Sequence, residues 1–528
     1  MRIGIDVGGT NTDAALLDGG QVVAGVKQST TPDVTSGITA ALEALKAEHN
    51  FDAAQIDGIM IGTTHFINAL VEANRLAPTA ALRLGLPATS ALPPLIGWPE
   101  RLVKAIAGRA YMAHGGFEFD GRPISPLDAD ELREHAADMR AHGIRSVAIS
   151  SVFSPINDQF ELDAARILAE ELGEGVALSL SHQIGRVGLL ERENATIINA
   201  ALRELADSIV GRLEETLQSL GYSAPLFLSQ NDGTLMDLAY ARQYPVATFA
   251  SGPTNSMRGA AVTSGLATCA VIDVGGTTSD VGVLTNGFPR EATTEVEVAG
   301  VRTNFRMPDV LSIGIGGGSI ITVNGEPTAG TQQVAPESIA VGPESVGYRL
   351  TSKALVFGGD TLTATDVAVA AGRAAVGDPT KVANLDPDFV AAVLDQIGHR
   401  VADTVERMRT SAEPLPVVGV GGGAILLPDE LPGLGTVLKP ENSGVANAIG
   451  AAIAQVSGEI DKVFSIAPGT RDEVVAEAKG EATSRAIAAG ATADTATIVE
   501  FDEVPLPYLP GGATRIRAKA VGDLSLAE

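Results

Sequence analysis

Cysteine is nearly absent: Cys269 is the only one in 528 residues. That excludes an intrachain disulfide, and the chain alone cannot hold a thiolate-ligated iron–sulfur cluster. Cys269 lies in CAVIDVGG, at the start of a strand-like run, and reads as a small core residue. Aromatic residues make up only 4%, against 45% hydrophobic residues overall, which suits an α/β interior packed from small and β-branched side chains. Positive charge is short as well. With 37 Lys and Arg against 64 Asp and Glu, the net charge of -27 repels nucleic acid and anionic membrane surfaces. A compact anion such as a nucleotide can still bind where backbone N–H groups and a metal ion supply local positive field. There is no uncharged apolar run of about 18 residues, and no basic, apolar and small-residue leader precedes the first strand. The expectation is a cytoplasmic protein, and a chain of this length divides into two or more domains.

What is present is a repeat. The chain opens MRIGIDVGGTNTDAALLDGG and returns at residue 271 to VIDVGGTTSDVGVL. Each copy is a short β-branched run ending in Asp, a glycine pair, a hydroxyl cluster and an alternating segment, which predicts a β-hairpin heading the sheet of each half. Glycine pairs allow close backbone approach to a ligand, and the following Thr and Asn groups offer donors to phosphate oxygens. An Asp at a strand end can hold a hydrated Mg²⁺ or orient water. Two such units facing each other would clamp a polyphosphate, and the later GVGGGA supplies a glycine turn flat enough for a nucleoside. A lone Asp-x-Gly-Gly could be an ordinary turn; the second copy makes the case. Neither the Walker pattern nor the dinucleotide fingerprint is matched.

Other segments couple strands to polar loops. IDGIMIGTTHFINALVEA reads as strand, hydroxyl-rich loop and helix from about 66 to 74, and ENATIINAALRELADSIVGRLEETLQSLG as a long helix. A further helix is expected around 388–411, and SGVANAIGAAIAQV as a helix of small residues. Residues 461–528 read as helix and then strands, a small α+β appendage.

The ordered set IGIDVGGTNTDAALL, VIDVGGTTSDVGVL, PVVGVGGGA and ANAIGAAIA resembles the phosphate, adenosine and connecting-helix elements of the actin, heat-shock-chaperone and sugar-kinase superfamily. The strings IGTTHFINALVE, LLERENATIINAAL, SQNDGTLM, ASGPTNSMRGAA and SIGIGGGSI resemble, more narrowly, the hydantoinase A and oxoprolinase family, which includes a subunit of acetone carboxylase. The resemblance implies an α/β fold of two RNase H-like domains with ATP in the cleft between them. Its expected divisions are 1–190, 191–460 and 461–528. It implies ATP-dependent opening of a cyclic amide, or a related carbonyl activation. A small-molecule kinase on the same fold is the rival reading.

On the family pattern, Thr10, Asn11, Thr277 and Thr278 contact phosphates, while Gly8, Gly9, Gly275 and Gly276 allow the approach. Asp6 and Asp273 hold Mg²⁺ or its waters, one of them orienting the nucleophile, with Asp13 and Asp280 behind them. Gly421, Gly422 and Gly423 border the adenosine. The substrate side is expected from Thr63, Thr64, His65 and Asn68, from Asn231 and Asp232, and from Gly316 and Gly317, the last two either bordering the substrate or simply making a tight turn; His65 is either the candidate acid or base or the maker of a local structural hydrogen bond. Ser251 and Gly252 are expected to shape a loop beside the nucleotide, and Glu191, Arg192 and Glu193 open the long helix, as substrate contacts or as plain N-terminal charges. The chain departs from the family at Leu311, where relatives carry a histidine, and it lacks their Cys-containing stretch after GPES. Its compact form resembles members that accompany a second protein subunit, so a partner subunit and an oligomer are expected.

Overall fold

The computed structural model describes residues 1–9, 11–29, 34–292, 296–453, 455–507 and 511–526. RIGIDV has apolar or small residues on both faces of its pleat and becomes the strand Arg2–Val7, buried along nearly all its length. It pairs antiparallel with Asn11–Asp18, which pairs antiparallel with Gln21–Ser29. On its other side it runs parallel to Gly58–Thr63, and that strand parallel to Leu226–Ser229. The second half repeats this plan. Cys269–Val274 pairs antiparallel with Ser279–Thr285, which pairs antiparallel with Val310–Ile313. Cys269–Val274 also runs parallel to Val417–Val420, itself parallel to Gly435–Leu438. Two sheets with the same strand order and directions are the pair of RNase H-like units that the resemblance implied.

The first core gathers Ile3, Ile5 and Ile61 against the helix Leu189–Ser219. The second is built on the helix Pro387–Met408, whose Phe389, Val393, Ile397, Val401 and Val405 recur every fourth residue and are all buried. Two helices cross between the halves: Ser251–Ser264 leads into the second sheet, and Ala446–Ala451 returns from it. The second is shorter than its small-residue sequence suggested, because the backbone turns into the strand Gln455–Ser465. They cross closely because small residues meet: a Cβ on Gly450 would lie 1.8 Å from the Asn255 carbonyl oxygen, and one on Gly259 1.9 Å from that of Ala446.

Between Gly58–Thr63 and the long helix, residues 79–180 form a separate four-stranded parallel sheet with its own core. Buried charges tie this sheet to the long helix. Arg83 pairs with Glu193 at 2.5 Å, and Ser150 donates to the same carboxylate at 2.7 Å. Arg192 donates to the Ser151 and Val187 carbonyls, both at 2.7 Å. The tail strands Gln455–Ser465, Thr497–Pro505 and Ala513–Asp523 pair antiparallel and extend the first sheet through Leu235 and Val456. The helix Arg471–Ala488 lays Ala478, Ala482 and Ala486 against them. The tail is thus a continuation of the first sheet, and Gln455–Ser465 runs across the expected division at 460.

Candidate functional site

The two hairpins are built alike. Asp6 faces Asp13 in register, as Asp273 faces Asp280. Gly8 N–H donates to the Asn11 carbonyl at 3.0 Å, and Gly275 N–H to that of Thr278 at 2.9 Å. Gly9, Thr277 and Thr278 are exposed on the turns, and Asn11 is half-buried. Thr10 lies outside the described residues.

Helix Ser251–Ser264 joins the two sites. Asn255 donates to Asp6 at 3.2 Å, and the next residue, Ser256, donates to Asp273 at 2.5 Å. Asn447, on the other crossing helix, donates to the second Asp6 oxygen at 3.4 Å. One carboxylate from each half is therefore held over the crossing. Gly62 makes room, since a Cβ there would lie 2.3 Å from both Asp6 Oδ1 and Asn255 Nδ2. Gly421, at φ +87°, packs directly on Asp273: its Cβ would lie 2.3 Å from Oδ1. Gly423 N–H bonds the Val274 carbonyl at 2.8 Å, which anchors the third glycine turn to the second hairpin.

The electrostatics follow from four acids in one place. Burial pushes the Asp6 carboxyl up to about 6, with Asp13 and Asp273 adding and the Asn255 and Asn447 amides opposing. Burial also raises Asp13, against the pull of Lys27, and raises Asp273, against Ser256 and Lys27. It pushes Asp280 up to about 6, with the Ser312 hydroxyl opposing and Asp273 adding. Lys27, opposite Asp13 on the third strand, pairs with it at 2.7 Å. Among the described residues, no three His, Cys, Asp or Glu side chains are grouped to hold a metal by themselves. Asp6 and Asp273 accept hydrogen bonds only from neutral donors among those residues, so these two carboxylates are the ones that could hold a hydrated cation.

The expected substrate residues separate into groups. Thr63, Thr64, His65 and Asn68 do lie beside the first hairpin: Thr63 is in register with Val7, and the Thr64 hydroxyl donates to the Val7 carbonyl at 3.4 Å. His65 Nδ1 is 2.6 Å from the Thr63 hydroxyl and begins the helix His65–Val71, while Asn68 bonds Thr64 at 3.4 Å. Ser251 donates to the Thr63 carbonyl at 3.2 Å, which locks this loop to the crossing helix. Gly316 and Gly317 instead back the turn of the second hairpin. Gly317 N–H donates to the Gly275 carbonyl at 3.0 Å, and a Cβ on Gly316 would lie 2.5 Å from Thr277 N. Asn231 is committed to the protein, donating to the Val246 and Arg306 carbonyls at 3.0 Å and accepting from Ala250 N–H at 2.8 Å. Burial alone would raise the Asp232 carboxyl, yet Lys519 at 2.9 Å overrides it and holds the group well below the usual range. Arg192 and Glu193 are absorbed by the buried network described above. Sequence reasoning missed Lys27, Asn255, Ser256 and Asn447. Their signal was a polar side chain in an otherwise apolar, small-residue setting, as in ASGPTNSMRGAA and ANAIGAA.

Among the described residues, no helix is long and apolar enough to cross a membrane. The hydantoinase/oxoprolinase N-terminal region matches residues 2–172, and the hydantoinase/oxoprolinase region matches residues 192–378. An uncharacterized protein of Methanocaldococcus jannaschii is 25% identical over 88% of this chain and 74% of its own. The acetophenone carboxylase gamma subunit of Aromatoleum aromaticum is 28% identical over 70% of the chain, and the caprolactamase subunit alpha of Pseudomonas jessenii 26% over 71%. The chain spans about half the length of those two subunits, 53% and 55%. The crystal structure of the ATP-dependent caprolactamase from Pseudomonas jessenii superposes with a TM-score of 0.77 at 18% identity, covering 99% of this chain and 87% of that one. Nucleotide-free acetone carboxylase superposes at 0.69 and 20% identity, covering 99% and 88%. One matched region carries the first Asp-Gly-Gly-Thr hairpin and the other carries the second, and on that evidence the chain belongs to the hydantoinase/oxoprolinase family.

Proposed function

We propose that the protein is an ATP-dependent amidohydrolase that activates the carbonyl of a cyclic amide by phosphoryl transfer. The observation that carries this reading is the pair of neighbours Asn255 and Ser256, which hold Asp6 of one hairpin and Asp273 of the other from adjacent positions on one helix. Phosphoryl transfer asks a protein mainly for positioning and charge neutralisation. The turns at Gly8, Gly9 and Asn11 and at Gly275, Gly276, Thr277 and Thr278 cradle the phosphates, and Gly421–Gly423 border the adenosine. Asp6 and Asp273 would hold a hydrated Mg²⁺, which would supply charge neutralisation at the transferring group. Thr63, Thr64, His65 and Asn68 face the substrate beside the first turn.

A lactam or hydantoin carbonyl is a poor electrophile. Attack of its oxygen on the γ-phosphorus, with ADP leaving, gives an imidate-like phosphate. Water adds to the carbon, the ring nitrogen leaves as the amine, and a second water hydrolyses the resulting acyl phosphate. The balance is one ATP and two waters consumed for one ring-opened acid, ADP and phosphate. The named relatives are subunits, and this chain spans about half their length, which supports a second subunit supplying part of the substrate site.

The test is to incubate the purified chain with ATP, Mg²⁺ and a panel of hydantoins, lactams and 5-oxoproline, following phosphate and product mass. Ring-opened product with one phosphate per turnover is expected. A stable product heavier by one phosphoryl group would assign the protein to the kinases instead, and phosphate release indifferent to every cyclic amide would remove the amide from the proposal.

A further inference from the structure

Asp6, Asp13, Asp273 and Asp280 sit on the two hairpins, and Lys27 is the cation paired with Asp13. Its ammonium lies 2.7 Å from Asp13 Oδ1 and 2.8 Å from Oδ2. The two partners are unequal: the Asp13 side chain is 3% exposed and that of Lys27 36%. The pairing engages the ammonium through one carboxylate, while the Lys27 side chain, near the end of the strand Gln21–Ser29, stays partly exposed. The ammonium also reaches the second half. A Cβ on Gly422 would lie 3.8 Å from Nζ. An ammonium has three donors, and one carboxylate does not exhaust them.

We propose that Lys27 is a phosphate-binding residue: it donates to a phosphate oxygen of a nucleoside di- or triphosphate lying between the two glycine turns, while Asp13 holds its stem in place. The proposal rests on the nucleotide reading above and adds a residue to it. Lysine serves here as a compact point charge on a stem that an ion pair has already ordered, so little conformational freedom is lost on binding. The same geometry explains how a cleft lined by four acids admits a polyanion. The ammonium and the backbone N–H groups of the turns face the phosphates, and Asp6 and Asp273 face the metal.

The experiment is calorimetric titration of a non-hydrolysable ATP analogue, ADP and adenosine, each with Mg²⁺, into the wild type, K27M, K27R and the double variant K27M/D13N. K27M should weaken the analogue and ADP by about thirtyfold, the scale of one charge-assisted hydrogen bond, and leave adenosine unchanged. K27R should recover most of that loss. The double variant separates binding from structure, because removing both partners of the ion pair leaves no buried unpaired carboxylate. It should regain the wild-type melting temperature and still bind the analogue weakly. Wild-type affinity in the double variant would show that Lys27 serves only Asp13 and would overturn the proposal. Equal losses for adenosine and ATP in K27M would do the same. A wild-type chain that binds no nucleotide would overturn the underlying reading itself, a result distinguishable from either.

Discussion

Replacing Gly450 by alanine tests whether the helix crossing sets the geometry of the cleft. A Cβ at that position would stand 1.8 Å from the Asn255 carbonyl oxygen, whereas ordinary contact begins at 3.4 Å. The obstacle is backbone, which no rotamer change relieves, so the helices must part by roughly 1.5 Å. Asn255 and Asn447 reach Asp6 at 3.2 and 3.4 Å, already near the limit of a hydrogen bond, and that displacement breaks both. Overpacking costs about 1–3 kcal/mol and each lost bond to a carboxylate about 1.5–3 kcal/mol, part of which water recovers. The expected loss is about 3–5 kcal/mol, with ATP turnover lowered at least about a hundredfold because Asp6 is no longer held against its partner in the other half. Urea unfolding and phosphate release measure the two effects. Gly444→Ala is the control, since a Cβ there meets nothing within 4 Å, and it should be close to neutral. A G450A protein with wild-type stability and turnover would refute the idea that the close crossing positions the carboxylates.

Removing one partner of the buried Arg83–Glu193 pair, as in E193A, should cost about 3–5 kcal/mol in urea unfolding, whereas replacing both by apolar residues of similar volume should recover most of it. Gly421→Ala combines a left-handed φ of +87° with a Cβ 2.3 Å from Asp273 Oδ1, so nucleotide affinity should fall sharply in a calorimetric titration. Asp280, raised to about 6 in the folded protein from 3.8, binds its proton more tightly when folded. Its contribution to stability is therefore greatest below about pH 4 and declines as pH rises to about 6, and D280N should flatten that part of the unfolding profile measured without nucleotide.

The local sequence wrote both hairpins in full. An Asp closing a β-branched run, two glycines and hydroxyl residues define a turn that needs only its own hydrogen bond, Gly8 to Asn11 or Gly275 to Thr278, to take shape. The four-residue spacing of Phe389, Val393, Ile397 and Val401 likewise marks a buried helix face without outside help. The duplication of the hairpin already implied two sheets of one design. It could not say which remote polar groups would meet the carboxylates. Asn255, Ser256 and Asn447 look like polar interruptions in helices of small residues, and they acquire a role only when Gly259 and Gly450 let those helices cross at backbone contact. Asn231 and Asp232 show the converse. Their loop chemistry invited a substrate, but Lys519, far along the chain, and the carbonyls of Val246 and Arg306 had already claimed them. Periodicity and turn chemistry act between neighbours and are legible in order along the chain. Burial of a charge, and the choice of what neutralises it, depend on segments hundreds of residues apart, and only the packing of the two halves decides them.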